Sequence, residues 1–339
     1  MGAMFGMGFL VLALCFFALI FFGPVYISPS DICGILFSGG ETGNYASTII
    51  IENRLPMAIG ALSCGATLSV AGLMMQTLFQ NPLAGPSVLG ISSGASLGVA
   101  IFMLGVSGVG ILTDSFWQPF LSTVSAFIGG MVTIMILLGF SSVLKTAVSL
   151  LIVGLMISYL CSSGISLLNY FSPPDEIRSY LVWGMGSFSG LRLSSSLWLL
   201  GLSVVTLIPT VYFIKPLNAL LLGERYLESV GYSMKRMRFS ILTLTGFLVA
   251  VPTAFCGPIG FIGLVVPHLC RMLFRTSNCL VLLPASIVCG AGVMLFCAFI
   301  GVVPSAYFGV LPINVITPLI GVPVILYLLL NRDKLPYFQ

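Results

Sequence analysis

Side chains that could do chemistry are few in this sequence, and they form no known catalytic pattern. There is one histidine, His268, and the nine Asp and Glu residues fall almost entirely in predicted loops. The nine cysteines include no CxxC or CxxxC pair, so buried packing explains them better than metal binding or disulfides. HExxH, GxSxG and GxxxxGK[ST] motifs are also missing. We therefore predict a protein that is not an enzyme, with no metal, cofactor or nucleotide site of its own.

The composition indicates a membrane protein. Of 339 residues, 58% are hydrophobic and only 6% are charged, against roughly 25% charged in a soluble domain. Breaks at Gly, Pro and charged clusters leave ten apolar runs, most near the roughly 20 residues that a spanning helix needs. The first run lacks the positive n-region of a signal peptide, so we interpret it as a span. The prediction is one all-α polytopic domain, 1–339, with about ten transmembrane helices near 4–27, 56–78, 88–107, 116–140, 147–169, 194–214, 239–256, 259–275, 280–302 and 312–330.

The basic residues predict the orientation of these helices. If the N-terminus is cytoplasmic, ten of the thirteen Lys and Arg residues fall on the cytoplasmic side, as the positive-inside rule expects. Arg54, Arg178 and Arg192 remain in outer loops. Both termini are then predicted to be cytoplasmic. The ten inner residues are Lys145, Lys215, Arg225, Lys235, Arg236, Arg238, Arg271, Arg275, Arg332 and Lys334.

The predicted spans contain no acidic residue near their middle. An ion-coupled secondary carrier usually buries a carboxylate there and often shows inverted repeats. Neither feature is present, and an intramembrane enzyme lacks its catalytic groups. A nearly neutral pathway suits a large substrate that is passed along without tight binding.

Three segments carry motifs. One begins at Arg54-Leu55-Pro56, continues through AGLMMQ at 71–76 and ends with NPLAGPSVLGISSGA at 81–95. Another is GPIGFIGLVVPHLCR at 257–271, and the third runs from LNALLLGER at 217–225 to SVG at 229–231. Together they resemble the FecCD family, the permeases of ATP-driven importers for iron-siderophores, haem and vitamin B12. The resemblance covers nearly the whole chain.

The resemblance implies a type II ABC importer permease in the bacterial cytoplasmic (inner) membrane. It implies a homodimer with two ATPase subunits, which bind ATP and Mg, and a periplasmic or lipid-anchored substrate-binding protein. No nucleic-acid partner is expected. The cargo implied is a metal chelate, such as a ferric siderophore, haem or cobalamin, imported along the dimer axis. A small oxyanion such as molybdate is the alternative within the same class.

A gate is implied at the cytoplasmic ends of two helices. Pro82 cannot continue a helix and disfavours helical backbone before it, so the chain must turn here. An ordinary interhelical turn is the alternative to a gate. The turn at Lys145–Val148 is interpreted as the gate's second side. The gate residues are Asn81, Pro82, Leu83, Ala84, Thr146 and Ala147.

A cytoplasmic segment at about 215–238 is predicted to couple the permease to the ATPase. It mixes charges with Leu220, Leu221, Leu222 and Leu227, and exposed leucines on short helices need a partner. A helix lying on the lipid surface is the alternative. The residues that match the family motif are Leu217, Asn218, Leu220, Gly223, Glu224, Arg225, Ser229 and Gly231.

The remaining matches have two predicted roles. Arg54, Arg178 and Arg192 are candidates for docking the binding protein, although Met57 replaces the second arginine that the family often has. At 310–314 the chain reads VLPIN where the family commonly shows an ELP-x-G stretch. An architectural role, rather than substrate contact, is predicted for Gly90, Gly94, Gly257, Pro258, Gly260, Phe261, Gly263, Pro267, His268 and Arg271.

Overall fold

The computed structural model describes residues 2–38, 45–106, 118–144, 146–304 and 309–330, and within these ranges the chain is helical without any strand. The α-helices, in chain order, are α1 Gly2–Phe21, α2 Pro29–Ser38, α3 Tyr45–Thr48, α4 Leu55–Leu78, α5 Ile91–Ala100, α6 Gln118–Val143, α7 Ala147–Phe171, α8 Pro174–Gly184, α9 Leu193–Leu207, α10 Ile214–Leu221, α11 Glu224–Ser229, α12 Met234–Cys256, α13 Ile262–Phe274, α14 Cys279–Val302 and α15 Ile313–Leu330.

Short π and 3-10 turns extend several of these helices. A π turn at Ile49–Arg54 joins α3 to α4, and another at Ile101–Val106 follows α5. Pro86–Leu89 and Ile208–Phe213 are 3-10 turns. The helix through α4 therefore begins at Tyr45 instead of near 56, so Arg54 lies in a helix and not in the predicted loop.

Seven helices of the described part are long and apolar enough to cross a membrane. Three shorter apolar helices, Ile91–Gly105, Ile262–Phe274 and Ile313–Tyr327, coincide with the remaining predicted runs. The all-helical membrane fold is thus confirmed, while the count of ten spans stays a prediction. Met1 and 331–339, which include Arg332 and Lys334, lie outside the described residues, and so do Lys145, 39–44 and 107–117.

Helix α4 lies at the centre of the molecule. Nearly all its side chains are buried, and it contacts α9, α12, α13 and α14. Small residues let these backbones approach: a Cβ on Gly65 would lie 2.2 Å from the Gly290 carbonyl oxygen of α14. Peripheral helices such as α7 and α9 expose apolar side chains instead. This is the arrangement expected in lipid, where close packing of small residues drives helix association.

Helix α8, like α2, lies outside the predicted spanning runs. It lies between two predicted spans, with Asp175 and Glu176 in its first turn, where acidic side chains suit the helix dipole. Its Tyr180 is buried and stacks on Trp183, with ring centroids 6.3 Å apart. Burial raises the pKa of Tyr180 to about 12, so its phenol is neutral at physiological pH. This helix was not predicted because its 11 residues are amphipathic and too few for an apolar run that could span the membrane.

Candidate functional site

The first predicted gate segment is a compact turn after α4. Its Asn81 amide donates to the Gln76 carbonyl (3.1 Å), while Asn81 Oδ1 accepts from the Leu83 amide (2.9 Å). The Ala84 amide then donates to the Asn81 carbonyl (3.1 Å). Leu83 is 45% exposed, whereas Ala84 is buried. Leu83 is therefore exposed at the surface. The turn itself lies where the break at Pro82 predicts it.

The second predicted gate segment is the start of α7. Thr146 caps this helix, because its Oγ1 accepts from the Ser149 amide at 3.2 Å. The Thr146 side chain is exposed. Ala147 is the first residue of α7, but its side chain lies outside the described residues. The gating role of this turn stays a prediction.

The predicted coupling segment folds as two short helices, α10 and α11, joined at Leu222 and Gly223. Gly223 has φ +111°, a backbone conformation that side chains with a Cβ rarely adopt. Leu217, Leu220 and Leu227 are fully buried. The prediction that Leu220 and Leu227 are exposed for a partner was wrong, because the amphipathic helices turn these side chains into the core.

Four other apolar side chains of this segment remain at the surface. Leu221 is 39% exposed, Leu222 69%, Tyr226 47% and Val230 53%. They are flanked by exposed Glu224, Arg225 and Glu228. We call Leu221, Leu222, Tyr226 and Val230 the coupling patch. A cluster of apolar side chains with a charged rim is typical of a protein interaction site.

Asn218 holds the coupling segment against the rest of the molecule. Its Nδ2 donates to Asn278 Oδ1 (2.8 Å), and its Oδ1 accepts from the Cys279 amide (2.7 Å) at the start of α14. At the far end, Ser229 Oγ donates to the Tyr226 carbonyl (2.8 Å). Gly231, with φ +93°, lets the chain leave α11. The patch is thus carried on a segment that Asn218 anchors to the start of α14, while the contacts at its far end are local to α11.

Two side chains join the coupling segment to the predicted gate turns. Gln80 Nε2 donates to the Leu220 carbonyl of α10 at 2.8 Å. Arg238 of α12 lies 3.6 Å from the Glu224 carboxylate and donates through Nη1 to the Leu144 carbonyl at 3.2 Å. Neither Gln80 nor Arg238 was singled out as a site residue from sequence, because their partners are far away in the chain.

The second motif forms a loop and the helix that follows it. Gly257, with φ +77°, ends α12, and Phe261 has φ +68° just before α13. Asn314 of α15 fixes this loop, since its Oδ1 accepts from the Gly260 amide (3.1 Å) and its Nδ2 donates to the Pro258 carbonyl. In the sequence, Asn314 stands out only as a departure from the family pattern, so these two contacts were not predicted.

A buried polar cluster joins α13 to α4. Arg271 Nη1 donates to Gln76 Oε1 (2.6 Å), and Gln76 Nε2 donates to the Leu264 carbonyl (3.1 Å). His268 Nδ1 lies 2.9 Å from that carbonyl and 3.2 Å from Gln76 Nε2. The three polar side chains are all less than 10% exposed, and Pro267 lies inside the same helix. These contacts connect one helix to another, which fits the architectural role predicted for the motif.

Three of the predicted architectural glycines lie at close helix contacts, whereas nothing lies within 4 Å of a Cβ placed on Gly260. A Cβ on Gly263 would lie 2.7 Å from the Leu68 carbonyl oxygen, and one on Gly94 would lie 2.8 Å from the Gly129 oxygen. Gly90, which caps α5 with φ +76°, lies against Gly154 of α7.

The docking role predicted for Arg54 does not fit its position. Arg54 is only 6% exposed, and its guanidinium donates to the carbonyls of Ile20 (2.8 Å), Phe21 (3.2 Å) and Val25. Such a side chain satisfies the end of α1 and cannot also meet a carboxylate of a separate protein. Arg178 on α8 and Arg192 before α9 are exposed, so they keep their predicted docking role.

Proteins of known family are similar to this chain in sequence and in fold. Residues 10–331 match the FecCD transport family. A vitamin B12 import system permease protein, BtuC, of Serratia proteamaculans is 34% identical over 92% of this chain and 88% of its own. BtuC of Shigella flexneri is 36% identical over 92% of this chain and 90% of its own.

Two solved structures have a fold similar to that of this chain. One inward-facing structure, described as that of a metal-chelate type ABC transporter, superposes with a TM-score of 0.83 at 28% identity, covering 98% of this chain and 99% of its own. PsaBC from Streptococcus pneumoniae, solved with a Fab, shares the fold at a TM-score of 0.54 and 14% identity, over 81% of this chain and 90% of its own.

The helical fold and these matches define the class of protein, which is a multi-pass ABC transporter permease of the cytoplasmic membrane. The chain belongs to the FecCD transport family. The family resemblance and the membrane location predicted from sequence are both confirmed. Permeases of this class work with an ATPase and a substrate-binding protein.

Proposed function

We propose that this chain is the permease subunit of an ATP-driven importer for a metal chelate, such as a ferric siderophore, haem or cobalamin. Two copies form the pathway between them, and two ATPase subunits that bind ATP and Mg attach on the cytoplasmic side. A periplasmic or lipid-anchored binding protein delivers the cargo to the outer side. The chain itself hydrolyses nothing and has both termini in the cytoplasm after ten spans.

The coupling patch is the observation that carries this proposal. Leu222 and Val230 are more than half exposed on a charged segment that belongs to the predicted cytoplasmic side. A surface of this kind needs a partner, and the family supplies an ATPase there. The vitamin B12 and metal-chelate relatives support a bulky chelate as cargo.

The distribution of acidic groups favours this proposal over an ion-coupled carrier. In the described part of the chain, no Asp or Glu is classed as buried. A secondary carrier needs a polar or charged ligand for its coupling ion within the membrane. ATP hydrolysis by a partner avoids that need.

A matched pair of substitutions tests ATPase attachment. Leu222→Asp places a charge on the most exposed side chain of the coupling patch, so the tagged permease should lose most of the ATPase that copurifies with it. Leu181→Asp makes the same change at a side chain of α8 that is 51% exposed, on the predicted outer side, and should leave copurification unchanged. Equal capture by Leu222→Asp and the parent chain would contradict the proposed attachment site.

Transport in liposomes tests the cargo. The permease with its copurified ATPase and binding protein should take up one of cobalamin, haem or a ferric siderophore, and uptake should require ATP. Molybdate uptake in place of these would favour the oxyanion alternative. Uphill uptake by the permease alone, driven only by an ion gradient, would refute the ABC importer assignment.

A further inference from the structure

The turn after α4 is tied to the coupling segment by one side chain. Gln80 has a left-handed backbone, φ +46°, which is unusual for a residue with a Cβ. This conformation ends α4, and Gln80 Nε2 donates to the Leu220 carbonyl (2.8 Å). Leu220 itself is fully buried between α10 and the core. The Gln80 side chain therefore connects α10 to the residue just before the turn that carries Leu83.

The turn before α7 is tied to the same segment by a different side chain. Arg238 is 6% exposed on α12, and two of its contacts concern the coupling segment and the turn before α7. One is the Glu224 carboxylate at the start of α11 (3.6 Å), and the other is the Leu144 carbonyl (3.2 Å), two residues before Thr146. A buried guanidinium with fixed donors holds such partners at a defined separation. One side chain therefore contacts both the start of α11 and the residue Leu144, which lies just before the predicted turn.

We propose that Gln80 and Arg238 are positioning residues that transmit movement of the coupling segment to the two gate turns, each to one turn only. Gln80 links α10 to the residue before the turn at 81–84. Arg238 links α11 to Leu144, the residue before the predicted turn at 145–148. The inference rests on the proposed function, because it assigns paths within the same ATPase-coupled gate. It extends that function by giving each of the two gate turns its own link to the coupling segment. Removing one link should leave the other turn able to respond to ATP.

A crossed labelling experiment tests this separation without knowledge of the cargo. Leu83→Cys reports on the first turn and Thr146→Cys on the second, both being exposed positions. Among the described residues, Cys33 is the one exposed natural cysteine. Cys33→Ser removes it so that the maleimide reacts mainly with the reporter. A maleimide then measures the labelling rate of each reporter in the complex with its copurified ATPase, nucleotide-free and trapped with ATP and vanadate. In the parent chain, trapping should change both rates several-fold.

The link variants should separate the two responses. Gln80→Met has a side chain of similar length with no donor, so it should abolish the response at Leu83→Cys and keep the one at Thr146→Cys. Arg238→Met should do the reverse, and Arg238→Lys, which retains the charge near Glu224, should restore part of the lost response. Arg275→Met, an equal loss of charge at an exposed position after α13, should change neither response. ATPase capture and melting temperature report on folding and assembly in every variant.

Several results would overturn the inference. If both reporters respond normally in Gln80→Met and Arg238→Met, or if either variant abolishes both responses in an assembled complex, the two links are not separate. Should Arg238→Met fail to assemble, Arg238→Gln removes the charge with a polar side chain and must show the same selective loss. If the parent chain captures no ATPase, or if the labelling rates of its two reporters do not change on trapping with ATP and vanadate, the proposed function is refuted. This inference then fails with it.

Discussion

Arg54 illustrates how a charged side chain is kept inside a protein of the membrane. Its guanidinium satisfies carbonyls at and beyond the end of α1, including those of Ile20 and Phe21. Helix ends leave such carbonyls without partners, and in a membrane they are costly to leave unsatisfied. Gly23 makes room for the group, since a Cβ there would lie 2.8 Å from Arg54 Nη2. The arginine is therefore part of the architecture.

Replacing this arginine should weaken the fold. Arg54→Met removes the donors from three carbonyls, and we expect a loss of about 2–3 kcal/mol in stability, since hydrogen bonds to charged groups contribute roughly that much. Thermal unfolding in detergent measures the effect as a lower melting temperature. Arg178→Met, the same change at an exposed site, is the control and should melt close to the parent chain. An unchanged melting temperature for Arg54→Met would show that the buried contacts contribute little.

At the scale of elements, glycine contacts determine how closely the helices approach. Gly72 of α4 faces Gly263 of α13, and a Cβ on Gly72 would lie 1.6 Å from the Gly263 carbonyl oxygen. The atom in the way is backbone, so no side-chain rotation can relieve the clash. The two helices would have to separate, and the Gln76–Arg271 contact between them would be disturbed as well.

Alanine at two glycines tests this packing. Gly72→Ala should destabilise the protein by about 3 kcal/mol, the upper part of the usual range for overpacking. Gly201→Ala is the matched control, because nothing lies within 4 Å of a Cβ at that position of α9, and alanine favours a helix by up to about 1 kcal/mol over glycine. Its melting temperature should be equal to or above that of the parent. A Gly72→Ala variant as stable as the control would mean that α4 and α13 can separate at little cost.

For the whole molecule, the orientation in the membrane determines which side each exposed surface faces. The positive-inside pattern predicts that α8 faces outward and α11 faces the cytoplasm. Both present exposed side chains, with Arg178 on the first and Tyr226 of the coupling patch on the second. If the orientation were reversed, the patch could not meet an ATPase.

Cysteine labelling of intact cells tests this orientation. Ser179→Cys on α8 and Ser229→Cys on α11 are exposed positions, each made in a Cys33→Ser background. A membrane-impermeant maleimide, applied to cells without an outer membrane, should label Ser179→Cys at once. It should label Ser229→Cys only after the membrane is permeabilised. Labelling of Ser229→Cys from outside would reverse the predicted topology.

The candidate site was predictable only where local chemistry decides the structure. The break at Pro82 follows from a missing donor and lies where expected. The turn at Gly223 depends on chemistry that is equally local, a missing Cβ, although only a motif match was predicted there from the sequence. The exposure of neighbouring leucines was not predictable in this way. Leu220 is fully buried and Leu222 is 69% exposed, because the direction of a short helix relative to the core depends on tertiary contacts such as that of Asn218 with Asn278.

The sequence by itself determined that lipid is the solvent, since 6% charged residues cannot cover a water-exposed surface. It also determined the positions of the main turns and, through its three motifs, the family. Only the tertiary structure decided that Arg54 is buried and that Gln80 and Arg238 connect the coupling segment to the predicted gate turns. Gln80 meets a carbonyl 140 positions along the chain, and Arg238 meets one 94 positions away. Proline and glycine act on their own backbone, whereas these contacts exist only after helices from distant parts of the chain have packed together.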